Sequence, residues 1–325
     1  MKVEIVIPHH LATLEFLNEW RAEFDRPGVH LIIVEDKLKH ETTQPDWINA
    51  DNTTLYTHED IEKDLGKSSW IISRFTSAVR SYGLYKAWQR KPDLIITLDN
   101  DCFPDRQNNY FVDGHWRAME SPATLDWVDS TFNGFLGELY PRGFPYNIRN
   151  KSKTYVNHGL WSNIPDLDAA SMLLHPSLRT QPVNESQVIP RYNFYPMCGM
   201  NLSFRPEVTP LMYFGLFGEK YGFDQFDDIW AGVFSKKVMD HLGWAVRSGY
   251  PSVEHRKQSN AFVNFKKQAG GMAYNEMLWE KVQNVQLTKE TPLEAYQELM
   301  EKLEFEDAYF KKVKEATLVW LSLFK

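Results

Sequence analysis

Apolar runs and helical repeats alternate along the first hundred residues. Val3 to Pro8 (VEIVIP) is an apolar run of strand length. Leu11 to Phe24 then spaces Leu14, Leu17 and Trp20 as on one helix face, and Pro27-Gly28 breaks the pattern. Val29 to Asp36 (VHLIIVED) predicts a second strand that ends in acid, and Ser68 to Lys91 predicts a helix carrying Tyr85 and Trp88. The stretch KPDLIITLDNDCFP, Lys91 to Pro104, predicts a third, buried strand that runs into Asp99, Asn100 and Asp101. Strands alternating with helices imply parallel pairing through right-handed crossovers, hence an α/β fold. Ligands of such sheets sit at the carboxyl ends of the strands. Asp36, Asp99 and Asp101 all fall at those ends.

Beyond Pro104 the pattern loosens. Gln107 to Pro210 is rich in Pro, Gly and Asn, and predicts long loops around a site, with His158 in one of them. A helix is expected from about Asp227, and Thr291-Pro292-Leu293-Glu294 reads as a capping box with Pro at the first helical position. Apolar faces from Leu299 to Phe324 supply one or two terminal helices. No repeat is evident.

Composition adds limits. At 325 residues, 43% hydrophobic and 24% charged, the chain has room for one large domain or two modest ones. A formal charge of −7 disfavours nucleic acid as a partner, so a phosphate-bearing ligand needs a metal or local cations to offset it. Two cysteines, Cys102 and Cys198, indicate neither a disulfide framework nor a Cys-based zinc site. No signal peptide or membrane-length apolar run is read, so a cytoplasmic location is expected.

The candidate chemistry lies in carboxylates. Asp99 and Asp101, one residue apart at a strand end, can share a hard cation as oxygen ligands, with Asn100 beside them; the alternative is a polar turn capping the strand. Asp227 and Asp228 open a helix. They are either first-turn acids favoured by the helix dipole or a sugar ligand and catalytic base facing the metal. His255 can give an imidazole to the metal, and Lys257, Lys266 and Lys267 can meet phosphates. A metal clamped by carboxylates would suit a nucleotide-sugar enzyme, which must stabilise a departing diphosphate.

Several long blocks together resemble the reversibly glycosylated polypeptide family, the UDP-arabinopyranose mutases. They are TLDNDCF (Thr97 to Phe103), RGFPYNIR (Arg142 to Arg149), HGLWSNIPDLDA (His158 to Ala169), YPMCGMNLSF, MYFGLFG, FDDIWAG and SNAFVNFKK (Ser259 to Lys267). The resemblance implies a GT-A-like, Rossmann-like, mixed and mostly parallel sheet flanked by helices. Residues 1–270 would form the nucleotide-sugar-binding domain, with 271–325 a helical extension packed on it. It implies a pyranose–furanose mutase acting on a UDP- or GDP-linked sugar, with Mn2+ or Mg2+ and no flavin. A glycosyltransferase and a non-catalytic, self-glycosylated scaffold remain the alternatives. Metal would fall on Asp99, Asp101 and His255, and nucleotide on Asp36, Arg80, Asp99 and Asn100. Arg149 would be the glycosylated arginine, with Arg142 its neighbouring alternative and Asp227 and Asp228 acting beside it. His158, Trp161, Cys198 and Trp230, with Arg142, would bind sugar or close as a lid, and Tyr195 would join the lid. Self-association is also implied. The family's aspartate triplet is here Asp99-Asn100-Asp101, which keeps both outer carboxylates.

Overall fold

The computed structural model describes residues 1–9, 14–35, 45–49, 51–105, 110–130, 139–256 and 260–325. Asp36 and Lys257 lie outside them. The strands are β1 (Val3–His9), β2 (Val29–Glu35), β3 (Thr53–Tyr56), β4 (Leu94–Leu98), β5 (Cys102–Pro104), β6 (Pro122–Ala123), β7 (Ser152–Asn163), β8 (Ser186–Ile189), β9 (Asn201–Phe204) and β10 (Ala245–His255). The helices are α1 (Leu14–Glu19), α2 (Arg21–Phe24), α3 (His58–Leu65), α4 (Arg80–Gln89), α5 (Phe111–Glu120), α6 (Ala169–Leu174), α7 (Asp227–Leu242), α8 (Ala261–Asn284), α9 (Pro292–Lys302) and α10 (Ala308–Ser322).

One mixed sheet carries the fold, in the order β3-β2-β1-β4-β9-β7-β10-β5, with β6 on β7 and β8 on β10. The block β3-β2-β1-β4 is parallel throughout, and β7 runs parallel to β10. β9 lies antiparallel between β4 and β7.

Alternation divides the apolar strands between two cores. Val6, Ile32, Val34 and Ile95 face a core closed by α4, α7, α9 and α10. Ile5, Ile7, Leu31, Ile96 and Leu98 face a second core closed by Phe16, Trp20 and Phe24 of the first helical segments and Phe111 and Met119 of α5. Burial on both faces is why these strands read as continuous apolar runs. Gly83 lets α4 lie directly on β1, because a Cβ there would come within 2.5 Å of Val6 Cγ1.

Three expectations change. The helix predicted over Ser68 to Lys91 forms only from Arg80; before it the chain makes two 3-10 turns, with Phe75 at a positive φ of 63° between them. The 270/271 division falls inside α8, and Tyr296, Leu299, Phe310 and Trp320 of the terminal helices belong to the same core as Val6. The predicted loops between Gln107 and Pro210 contain α5 and two central strands, β7 and β9.

Those strands hide in the sequence because their inward positions are polar and pair with one another. His115 of α5 sits against Asn201 Oδ1 (2.9 Å) through Nε2, while its Nδ1 meets Asn157 Nδ2 (3.0 Å) and Ser203 Oγ (2.8 Å). A side-chain amide oxygen only accepts, so Nε2 carries the proton and Nδ1 accepts. Burial lowers the His115 pKa to about 3, which keeps the ring neutral. Replacing His115 with Ala leaves buried partners unpaired. We expect a loss of about 1–3 kcal/mol in urea unfolding; an unchanged midpoint would contradict the network.

Candidate active site

The C-terminal ends of β4, β7 and β10 meet at one edge of the sheet. Register fixes this: Thr97 lies level with Leu202, and Leu202 with His158. β4 stops at Leu98, and Asp99, Asn100 and Asp101 turn the chain into β5, held by the Asp99 amide on the Met200 carbonyl (3.2 Å). His255, the last residue of β10, lies beside them with Nε2 3.9 Å from Asp101 Oδ2.

Arg80 is the hub. Its side chain is 2% exposed and lies at the start of α4. Nη2 donates to Asp99 Oδ1 (2.6 Å), Nη1 to Thr97 Oγ1 (3.0 Å) and to the Gly199 carbonyl, and Nε to the Ser77 carbonyl (3.0 Å). A Cβ at position 199 would come within 2.6 Å of Nη1, so only glycine allows this approach. Burial alone would lower the Arg80 pKa, but Asp99, and after it Asp227 and Asp228, carry it above its ordinary value.

Asp227 and Asp228 approach from the N-terminus of α7. Ser77 Oγ donates to Asp227 Oδ2 (2.8 Å), and the Gly199 amide donates to Asp228 Oδ2 (2.9 Å). Arg80 and Asp228 therefore hold opposite ends of one glycine. Burial pushes the Asp228 pKa up to about 8, with the neighbouring Asp227 adding to the rise. Burial also raises that of Asp227, against the pull of Arg80. A fifth carboxylate completes the group. Asp166, just past the end of β7, accepts from Cys198 Sγ (3.3 Å). Its surface is exposed, yet the protein packed around it withholds enough water to raise its pKa, helped by Asp99.

Among the described residues, no three His, Cys, Asp or Glu side chains already stand close enough to enclose a cation. The donor chemistry nonetheless fits one. His255 Nδ1 faces the Ile164 carbonyl at 2.8 Å and must donate to it, so the lone pair of Nε2 is left toward Asp101. With Asp101 and the Asp99 oxygen that Arg80 does not take, this makes an oxygen and nitrogen set suited to Mn2+ or Mg2+. It is a partial shell, and phosphate oxygens and water would have to complete it.

Other expected residues fall elsewhere. Trp230 is 2% exposed and sits among Phe217, Phe226 and Phe310, with its indole N–H on Asn275 Oδ1, so it is core and not lid. His158 lies in β7 and not in a loop; its Nδ1 meets Ser248 Oγ (2.9 Å), and burial lowers its pKa to about 4. Tyr195 packs on the His158 ring with its hydroxyl buried, and Trp161, half-buried near the end of β7, meets the same ring edge-on. Lys266 and Lys267 are exposed on α8, Lys267 paired with Asp224. Arg142 is exposed on a turn, and Arg149 precedes Ser152, at the N-terminal end of β7. The strand from Ser152 to the level of Asp99, near Leu160, is roughly 25 Å long at about 3.3 Å per residue. The fold does not bring Arg149 to Asp228.

The whole chain, residues 1–325, matches the family described as reversibly glycosylated polypeptide. Probable UDP-arabinopyranose mutase 4 of Arabidopsis thaliana is 37% identical over 333 residues, covering 98% of this chain and 89% of that protein. UDP-arabinopyranose mutase 1 of Oryza sativa subsp. japonica is 35% identical over 334 residues, covering 98% and 89%. The chain belongs to the reversibly glycosylated polypeptide family. Solved structures are similar only loosely. Glucosyl-3-phosphoglycerate synthase of Mycobacterium tuberculosis, with Mn2+ and UDP, matches at 12% identity and a TM-score of 0.44, covering 82% of this chain and 76% of that one. Mannosyl-3-phosphoglycerate synthase of Rubrobacter xylanophilus matches at 13% and 0.41, covering 89% and 77%.

In this family member, sequence reasoning missed Asp166, although it lies in the quoted block HGLWSNIPDLDA. An acid next to Pro165 reads as a turn former, and only the approach of Cys198 from another segment gives it company.

The Asp228 carboxyl yields a test. At low pH it is neutral in both folded and unfolded chains. As pH rises from about 4 toward 8 the unfolded chain releases this proton while the folded one retains it, so the protein loses stability through that window. Asp228→Asn removes the effect. In metal-free buffer its melting temperature is expected to rise relative to the parent between about pH 5 and pH 8.5; a constant or shrinking gap would count against the assigned environment.

Proposed function

We propose that the chain is a UDP-sugar pyranose–furanose mutase with UDP-arabinopyranose as substrate, its site formed by Asp99, Asp101, His255, Asp166, Asp227 and Asp228. The observation that carries this reading is the convergence of the β4-end carboxylates and the α7 carboxylates on Arg80 and Gly199, in a family whose relatives are named for that activity.

The residues divide the work. Asp99, Asp101 and His255 would hold a divalent cation, which when bound offsets the charge of the diphosphate and of its departure from the anomeric carbon. Arg80 fixes Asp99 so that one oxygen stays turned to the ligand. Asp228, with a pKa near neutrality, suits proton exchange with a sugar hydroxyl as the ring opens and recloses through the 4-hydroxyl. Asp166, which Cys198 holds at the same edge, would accept hydrogen bonds from other hydroxyls. Trp161 shields the β7 side from water, which would otherwise hydrolyse the activated sugar. Arg149, at the far edge of the sheet, has no part in this scheme within one chain.

Incubation with UDP-arabinopyranose and manganese, without any acceptor, tests the reading by NMR. Furanose anomeric signals are expected with the parent, none with Asp99→Ala or Asp101→Ala, and a rate lower by about 10²–10⁴ with Asp228→Asn. Absence of furanose with the folded, nucleotide-binding parent would overturn it, and transfer seen only with an added acceptor would make the chain a glycosyltransferase.

A further inference from the structure

A cleft of about 750 Å³ lies at the end of β4 opposite the acidic cluster. Lys91, Pro92 and Asp93, which lead into β4, line it together with Arg205, Pro206 and Glu207, which follow β9. The two strands are antiparallel, with Ile95 level with Phe204, so the start of one meets the end of the other. From Asp93 to Asp99 the chain covers roughly 20 Å at about 3.3 Å per residue, which sets the cleft well apart from the acidic cluster. Its volume is within the range of about 300–1,000 Å³ usual for small-molecule sites.

Two tryptophans line it from opposite faces of the sheet. Trp88 of α4 packs against the first core and Trp116 of α5 against the second, and both are half-buried. Tyr85 stacks on Trp88 with ring centres 6.2 Å apart, and Phe324 meets it edge-on at 4.8 Å, so the ring is held in place. The Arg205 guanidinium lies 5.8 Å from the Trp116 ring centre, and is itself fixed by the Thr154 and Met119 carbonyls and by Glu120. Neither indole N–H has a hydrogen-bond partner among the described residues, and neither is sealed from water. Each tryptophan thus brings to the cleft an apolar ring and an unused donor.

The charged groups of the lining balance, Lys91 and Arg205 against Asp93 and Glu207. The Lys91 ammonium and the Glu207 carboxylate make no hydrogen bond or ion pair among the described residues. Asp93 Oδ2 accepts the Lys2 amide (2.7 Å), which leaves Oδ1 for a ligand. We infer that this cleft binds a short neutral oligosaccharide, with sugar rings on Trp88 and Trp116 and hydroxyls on Lys91, Asp93 and Glu207. The C–H face of a sugar ring packs on an indole, and each hydroxyl both donates and accepts, so it uses carboxylate and ammonium alike. Balanced charge gives an anion no advantage. A proline-rich peptide would also lie along aromatic rings, but prolyl residues have no N–H to give Asp93 and Glu207. The site depends on neither the acidic cluster nor the activity proposed for it.

Titration of the full chain, labelled with 15N at its tryptophan indoles, with xylotriose, cellotriose and maltotriose tests the inference by NMR. Trp88→Phe and Trp116→Phe assign the two indole signals. Both are expected to shift saturably with at least one of the three sugars, and to do so equally with and without saturating UDP and Mn2+. Trp116→Ala is expected to weaken that binding about tenfold, and Glu207→Gln severalfold. Should Trp116→Ala fail to fold, the exposed Glu207→Gln and Lys91→Gln keep the test. A decaproline peptide is expected not to bind. No saturable shift with any of the three sugars, shifts that UDP and Mn2+ abolish, or binding that the Glu207 and Lys91 variants leave unchanged overturns the inference; decaproline binding where the sugars fail makes the cleft a peptide groove instead.

Discussion

The buried guanidinium of Arg80 is the constraint around which the acidic edge is organised. Taking a cation out of water costs several kcal/mol, and the loss is offset only where geometry and hydrogen bonds are good. Here Asp99, Thr97, Ser77 and Gly199 all accept from it, and Asp227 and Asp228 add their charge. The converse holds for the carboxylates. Five aspartates gathered at one sheet edge would repel one another, and Arg80 fixes the one at the end of β4 while glycine 199 passes the constraint to the one on α7. Raised pKa values at Asp166, Asp227 and Asp228 come first from burial, and the like charge of Asp99 adds to it at Asp166 and that of Asp227 at Asp228. Such a cluster is prepared to receive positive charge and to hold protons until it does.

The scaffold supplies the rigidity. Strands β1, β2 and β4 are buried on both faces, so their ends are held from above and below by separate cores. The terminal helices add to this. Trp320 of α10 donates its indole N–H to the Pro210 carbonyl and stacks on Tyr213, which ties the end of the chain to the segment after β9. Arg80 thus stands on a helix packed in the first core, while Gly199 lies between Cys198 and Met200 of the second.

Much of this was legible where hydrophobicity and function agree. β1, β2 and β4 are apolar because they are doubly buried, and the acids that follow β4 stand out against them. The helix start at Asp227 and the Thr291 cap were legible for local reasons, since Thr291 Oγ1 accepts the Glu294 amide. What stayed hidden are places where polar residues are buried together. β7 and β9 carry Asn157, His158, Asn201 and Ser203, which look like loop residues until His115 and Ser248 are seen to pair with them. Arg80 reads from sequence as a nucleotide ligand, whereas its buried side chain holds Asp99, Thr97, Ser77 and Gly199 in place. Trp230 looked like a lid because an aromatic residue beside two acids gives no sign of which helix face it occupies. Arg149 was placed beside Asp228 by motif alone, and motif order says nothing about which end of β7 a residue joins.

The most direct measurement of the central claim is manganese EPR on the parent and on Arg80→Lys, with and without UDP, with circular dichroism as the control on folding. Lysine keeps the charge but cannot reach Asp99, Thr97 and Gly199 together. The account predicts that the parent binds manganese more tightly with UDP present, and that folded Arg80→Lys loses about tenfold or more of that affinity. Undiminished UDP-dependent manganese binding in a folded Arg80→Lys protein would contradict it.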